Sequence, residues 1–188
     1  AGLTGIAAIT SGCIHSVALK NDGSVTSWGD NSYSQNTIPA GLSGITSVAA
    51  GGSHTLALKS DGSLSAWGFN NYGQADIPAG HSGVSSVAAG DAHTLSLSSS
   101  KVVTAWGANF SGQTNVPTEL TEVTAIAAGD NHSVALKADG TVVAWGQNTS
   151  GQATVPGGLA GVTQIAAGTA HTLALKQDGT VSAWGSNS

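Results

Sequence analysis

Arginine and methionine are missing from this chain, cysteine occurs once, and five lysines face ten acids across 188 residues. Each shortage excludes something. With no arginine and a net charge of −5, the chain offers a phosphate backbone little to hold, so nucleic acid is not expected as a partner. A lone Cys13 cannot close an internal disulfide, so no cystine framework holds the fold together. No apolar run approaches the roughly 18 residues needed to cross a bilayer as a helix. No Gly-x-Ser-x-Gly elbow, glycine-rich phosphate loop or close acidic pair is present, so neither catalysis nor a cofactor is expected. The chain opens on Ala1 without a leader peptide, as a mature product or an excised piece would. Few lysines among many Ser, Thr and Asn point to a secreted, extracellular protein.

What is present is periodic. Trp28, Trp67, Trp106, Trp145 and Trp184 are spaced 39 residues apart, and His15, His54, His93, His132 and His171 keep the same step. Pro39, Pro78, Pro117 and Pro156 keep it too. No insertion or deletion separates the copies, so the chain reads as one repeat domain over 1–188, with copies at 2–40, 41–79, 80–118, 119–157 and 158–188. A copy cannot bury its apolar faces without neighbours, which rules out separate domains.

Within the second copy, the run Ile45 to Ala50 ends in Gly51-Gly52, and His54 to Lys59 leads to an Asp61-Gly62 turn followed by Leu64 to Trp67. Asp-Gly between alternating segments is a hairpin signal, since glycine accepts a positive φ without steric cost. Gln74 to Pro78 reads as a short fourth strand closed by its proline. Leu56 and Leu58 point to one face and Thr55 and Ala57 to the other; neither face is charged, so both are expected to be buried, sheet against sheet. Radial repetition of such sheets gives an all-β fold, a β-propeller of about five four-stranded blades. The fifth copy stops at Ser188, so its blade is expected to lack the outer strand and to expose an edge open to another chain.

The pattern Ala-Ala-Gly-x-x-His-Thr-Leu-Ala-Leu-Lys-x-Asp-Gly-x-Val-x-Ala-Trp-Gly-x-Asn, carried by Ala49–Gln74 and Ala166–Asn187, resembles the repeat of the regulator of chromosome condensation family. The Val-Pro or Ile-Pro after each Gln is similar to bacterial secreted members, among them a propeller that inhibits β-lactamases. The resemblance implies a propeller, for which seven blades are usual in the family. The five Trp-Gly units here either close as five blades or form part of a larger ring.

The repeated histidines could be read as a metal ring, but equivalent positions in successive blades lie on a wide circle, whereas zinc draws its ligands together. They are expected to be structural, bonding backbone between blades, and no metal site is expected. The five tryptophans are assigned to blade packing, and Asn31, Asn70, Asn109, Asn148 and Asn187 to turns. His81, off the repeat at a place otherwise held by Leu, reads as a chance exposed replacement. Cys13 reads as a tolerated lone thiol, because its counterparts are Gly52, Asp91, Asp130 and Thr169. Asn109, Asn131 and Asn148 match the glycan acceptor pattern.

Comparison among the copies points elsewhere. Strand positions hardly change, whereas the first and third loops of each copy vary, and all four Tyr and Phe residues lie in the third. The candidate binding residues on this variable rim are therefore Tyr33, Phe69, Tyr72, Phe110, Asp30, Asp91 and Asp130. The opposite rim carries Lys and Asp-Gly turns, and copy three replaces the turn by Ser100-Lys101, so no site is assigned there. The function expected is that of a non-enzymatic module that binds a protein partner or self-associates. The resemblance adds two alternatives: inhibition of an extracellular enzyme such as a β-lactamase, and nucleotide exchange on a small GTPase.

Overall fold

A computed structural model describes residues 2–187. Each copy contributes three strands. They are β1 (Ile6–Ser11), β2 (His15–Lys20) and β3 (Val25–Gly29); β4 (Ile45–Ala50), β5 (His54–Lys59) and β6 (Leu64–Gly68); and β7 (Val84–Ala89), β8 (His93–Ser98) and β9 (Val103–Gly107). The last two copies give β10 (Val123–Ala128), β11 (His132–Lys137) and β12 (Val142–Gly146), then β13 (Val162–Ala167), β14 (His171–Lys176) and β15 (Val181–Gly185). Each triplet is its own antiparallel sheet, ordered as in the chain. The first strands β1, β4, β7, β10 and β13 lie against one another in succession. Their C-terminal ends surround a single concavity of about 300 Å³, which places the sheets radially about one axis.

The middle strands show why sheet must pack on sheet. In β5 both Leu56 and Leu58 on one face and Thr55 and Ala57 on the other are buried. Between the third and fourth blades, Leu95, Leu97 and Val103 meet Val123, Ala135 and Trp145, large side chains of one blade against Ala and indole of the next. The packing is repeated between the fourth and fifth blades, where Val134, Leu136 and Val142 meet Val162 and Ala174. At the rim away from the concavity, the Asp-Gly hairpins also tie blades together: Ile45 N donates to Gly23 O, Val84 N to Gly62 O and Val162 N to Gly140 O.

The expected fourth strand is not there: among the described residues each sheet has three strands. The segment after β6 folds as a turn because its polar groups are satisfied locally. Asn70 Oδ1 accepts from Ala75 N, and Asp76 N donates to Gly73 O. The carbonyl of Gln74, which a ladder would need, instead accepts from Thr94 Oγ1 and Trp106 Nε1 of the next blade. The third strand is thus the outer edge in every blade, and the fifth blade is not set apart by a missing strand.

His81 also differs from its expectation. Its Nε2 lies 2.7 Å from Ser96 Oγ, and its ring stands edge-on to Trp106 with centroids 5.5 Å apart. Ser96 is fully buried at a strand position where the other copies have Ala. His81 for Leu and Ser96 for Ala are therefore paired changes, the half-buried imidazole supplying a partner to the buried hydroxyl.

Candidate interaction face

The first loop of each blade and the loop after its third strand lie on the same rim. Asp30 N donates to Ile14 O, Phe69 N to Ser53 O, Ala108 N to Ala92 O and Gln147 N to Asn131 O, clamping the two loops at each blade. Gly68 makes the approach: it holds φ +102°, and a Cβ on it would lie 2.6 Å from Ser53 O, so only glycine fits after the tryptophan. Asn side chains then hold the outer loop in shape. Asn31 Oδ1 accepts from Asn36 N, Asn109 Oδ1 from Thr114 N and Asn148 Oδ1 from Ala153 N.

On this rigid base the four loop aromatics form one continuous row. Tyr33 and Phe69 have centroids 4.8 Å apart, Phe69 and Tyr72 5.8 Å, and Tyr72 and Phe110 5.2 Å, all edge-to-face. The row spans the outer loops of three successive blades. Phe110 is 78% exposed, Tyr33 51% and Tyr72 47%, while Phe69 is half-buried between its neighbours. The four residues occupy three different places in the repeat, and equivalent places in other copies hold Asp30, Ala108, Gln147, Ser32, Asn71, Thr149, Ser111 and Ser150. The repeat itself does not produce the row.

The acidic candidates divide into two groups. Asp30 is a turn residue: its carboxylate accepts from Ser32 N, Ser32 Oγ and Gln35 Nε2, which together hold its pKa below the usual carboxylate range. Asp91 and Asp130 stand with Cys13 around the axial concavity, away from the aromatic row. Burial and the charge of Asp91 raise the Asp130 pKa; burial and both carboxylates raise that of the Cys13 thiol, which disfavours its thiolate. The rim as a whole is acidic, with Asp30, Asp76, Asp91 and Asp130, and all five lysines lie at the opposite rim, at the turns between second and third strands. Lys137 and Lys176 there pair with Asp139 and Asp178 at 3.4 and 3.3 Å in solvent. The aromatics were legible one by one in the sequence. Their continuity was not, because it depends on how the outer loops of neighbouring blades meet.

The histidines bond side chains rather than the backbone expected of them. His15 Nε2 meets Thr55 Oγ1 at 2.9 Å, His54 meets Thr94 at 3.1 Å, His93 meets Ser133 at 3.0 Å and His132 meets Thr172 at 2.9 Å, each across a blade boundary. Each hydroxyl gives its own proton to a Gln carbonyl (35, 74, 113 or 152), so Nε2 must be the donor. The same carbonyls accept the indole N–H of Trp67, Trp106, Trp145 and Trp184. A ring nitrogen committed in this way is not free for a metal, and no group of three His, Cys, Asp or Glu among the described residues is placed to hold one. The glycan candidates Asn109 and Asn148 are exposed but use Nδ2 to bond Asn115 and Thr154, and half-buried Asn131 accepts from Gln113.

A search of curated proteins by sequence finds no match. Among solved structures, the chain is similar to the Physcomitrella patens receptor kinase CR4 ectodomain, with TM-score 0.84 and 23% identity over 97% of this chain and 53% of that one. It is similar to Prp20p of Saccharomyces cerevisiae, a protein described with its binding to Gsp1p and histones, with TM-score 0.81 and 23% identity over 96% of this chain and 57% of that one. Human WBSCR16 matches with TM-score 0.80 and 21% identity over 96% of this chain and 62% of that one. The chain thus spans little more than half the length of these structures, and at such identities the likeness is one of fold. The profile of the regulator of chromosome condensation (RCC1) repeat matches residues 6–35, 45–74, 84–113, 123–152 and 162–188, and the chain belongs to that repeat family.

Proposed function

We propose that this propeller is a non-enzymatic protein-binding module whose working face is the acidic, aromatic rim, and that its partner is an extracellular protein presenting apolar and basic groups. The observation that carries the reading is the Tyr33–Phe69–Tyr72–Phe110 row, assembled from three different repeat positions on three blades. Exposed aromatics on a rigid scaffold give large contact area with little entropy to lose, and they dominate binding energy where they are found. A rim bearing four carboxylates and no lysine attracts a basic surface and repels an acidic one. Prp20p, similar in fold, is described as binding proteins, which supports the class of activity and not the identity of a partner. The extracellular location rests on composition and is tested by fractionating the source cells.

The test is recovery of partners from the source with the unaltered chain, with Phe69→Ser/Tyr72→Ser, and with Lys59→Ser/Asp61→Ser. Loss of the same partner with the first variant alone supports the reading; loss with the second alone places the working face on the other rim. Inhibition of an extracellular enzyme is the narrower form that the aromatic row favours. Titration of β-lactamase activity with the chain decides it.

A further inference from the structure

Asp30 and Tyr33 are held as one unit at the blade-one end of the aromatic row. The buried side chain of Gln35 donates from Nε2 to Asp30 Oδ2 at 2.9 Å, and its Oε1 accepts from Tyr33 N, also at 2.9 Å. Ser32 N and Ser32 Oγ donate to the same carboxylate at 3.0 and 2.8 Å. On its other side Asp30 N donates to Ile14 O at 2.9 Å, and Ile14 is 46% exposed. Blade one alone combines these residues. At the place of Asp30 the later copies have Phe69, Ala108, Gln147 and Ser186, and at the place of Ile14 they have Ser53, Ala92, Asn131 and Ala170. Phe69 and Tyr72 have centroids 5.8 Å apart, so the repeat sets Asp30 beside Tyr33 as Phe69 stands beside Tyr72. The row therefore starts at a fixed carboxylate between an aliphatic and an aromatic side chain, and continues as rings alone.

We infer that this end of the row is an arginine site: a partner's guanidinium donates to Asp30 Oδ1 while lying against the Tyr33 ring, and the partner's adjoining apolar side chains cover Phe69, Tyr72 and Phe110. The inference rests on the aromatic row being the contact face, and it adds which group of the partner is recognised and where. A carboxylate accepts about four hydrogen bonds, and three are already made here, two at Oδ2 and one at Oδ1. One place is left, on Oδ1, so hydrogen bonding by itself does not separate a guanidinium from an ammonium. The ring does. A guanidinium is weakly hydrated and stacks on an aromatic face, whereas an ammonium is a compact, strongly hydrated charge. A long apolar stem ending in a charge also suits walls made by Ile14 and Tyr33. The donors from Ser32 and Gln35 favour the charged carboxylate, and a group already oriented loses little freedom on binding. A second copy cannot be the occupant, because the chain has no arginine.

The experiment selects binders from a library of random short peptides displayed on phage, with the unaltered chain as bait. The best binder, labelled at one end, is then titrated with the chain and followed by fluorescence anisotropy. Selected peptides should be enriched in arginine next to apolar residues. Replacing that arginine by lysine should weaken binding, and replacing it by citrulline should weaken it by about tenfold or more, the loss expected for a charged hydrogen-bond partner. Asp30→Ala should weaken binding as citrulline does, and the two changes together should cost little more than either alone. Blade three carries Ala at this place and blade four Gln, so the repeat accommodates Asp30→Ala and, as a second variant, Asp30→Gln. Asp22→Asn removes the same charge from the opposite rim of the same blade and should leave binding unchanged. Equal losses with Asp22→Asn and Asp30→Ala would overturn the inference, since net charge alone would then be read. So would equal binding of the lysine peptide, selected peptides without arginine, or no selected peptide at all. Loss with Phe69→Ser/Tyr72→Ser but not with Asp30→Ala would overturn it while leaving the contact face in place; indifference to both would remove the contact face as well.

Discussion

Trp106 and Trp28 hold the same place in their copies and have different surroundings. Trp106 is 9% exposed, with its indole N–H bonded to Gln74 O, whereas Trp28 is 45% exposed. Trp106→Ala is therefore expected to cost about 3–5 kcal/mol, as for other buried large aromatics, and Trp28→Ala well under half of that. Thermal unfolding of the two variants checks it, and equal losses would contradict the assigned burial. The histidines set the acid limit. Burial, reinforced by neighbouring histidines, lowers the pKa of His54 to about 3 and of His93 and His132 to about 4, from an ordinary value of 6.5. The unfolded chain then binds more protons than the folded one between these values, so stability is full above about pH 6.5 and falls as pH drops toward 4. Chemical denaturation at pH 7.5, 6 and 4.5 should show a midpoint that declines through this window. The direction follows from geometry as well: Nε2 already carries its proton, and Nδ1 of His54 and His132 is buried with no acceptor for a second.

At the scale of the element, the hairpin between second and third strands shows how little of a turn is indispensable. Gly62 and Gly140 take φ +78° and +77°, and in copy three Lys101 takes φ +68° at the same place. A side chain in the left-handed region costs roughly 1–2 kcal/mol, and Ser100 also lacks the carboxylate with which Asp61 binds Ser63 N and Oγ. Ser100→Asp/Lys101→Gly should stabilise the fold by about 1 kcal/mol, read as a higher denaturation midpoint; no gain would mean the Ser98–Ser100 hydroxyl pair already compensates. Three strands per copy were legible because Leu56 and Leu58 alternate with Thr55 and Ala57, and because Asp-Gly marks the turn. Gln74 to Pro78 reads as a strand in the sequence because Ile77-Pro78 looks like a strand end, yet each sheet has three strands. Nothing local discloses that the Gln74 carbonyl belongs to the next blade.

For the whole molecule, the decisive property is that two loops per blade share one end while the lysines sit at the other. Phe69→Ser/Tyr72→Ser should leave the thermal midpoint within about 1 kcal/mol equivalent of the parent, since Tyr72 is exposed and half-buried Phe69 packs among exposed rings outside the core. The same change should weaken partner binding more than Lys59→Ser/Asp61→Ser, because exposed charge pairs contribute little. A large fall in the midpoint would show that the row is structural packing instead of a contact surface.

The repeat alone determined that each copy is one blade, and with it the middle strands, the Asp-Gly hairpins and the interfacial place of the tryptophans, because a 39-residue period with fixed alternation leaves each copy one way to bury both faces of its sheet. Tertiary structure decided what lies between copies. Residues 40 apart, such as His54 and Thr94, meet only once blades are stacked, and the same stacking joins Tyr33, Phe69, Tyr72 and Phe110, each unremarkable in its own loop. It also decided the fate of the ends, where Trp28 and Val181 carry residue types that the interior buries and find no neighbouring blade to bury them. Sequence periodicity is blind to that difference, since burial is a property of the neighbour and not of the residue.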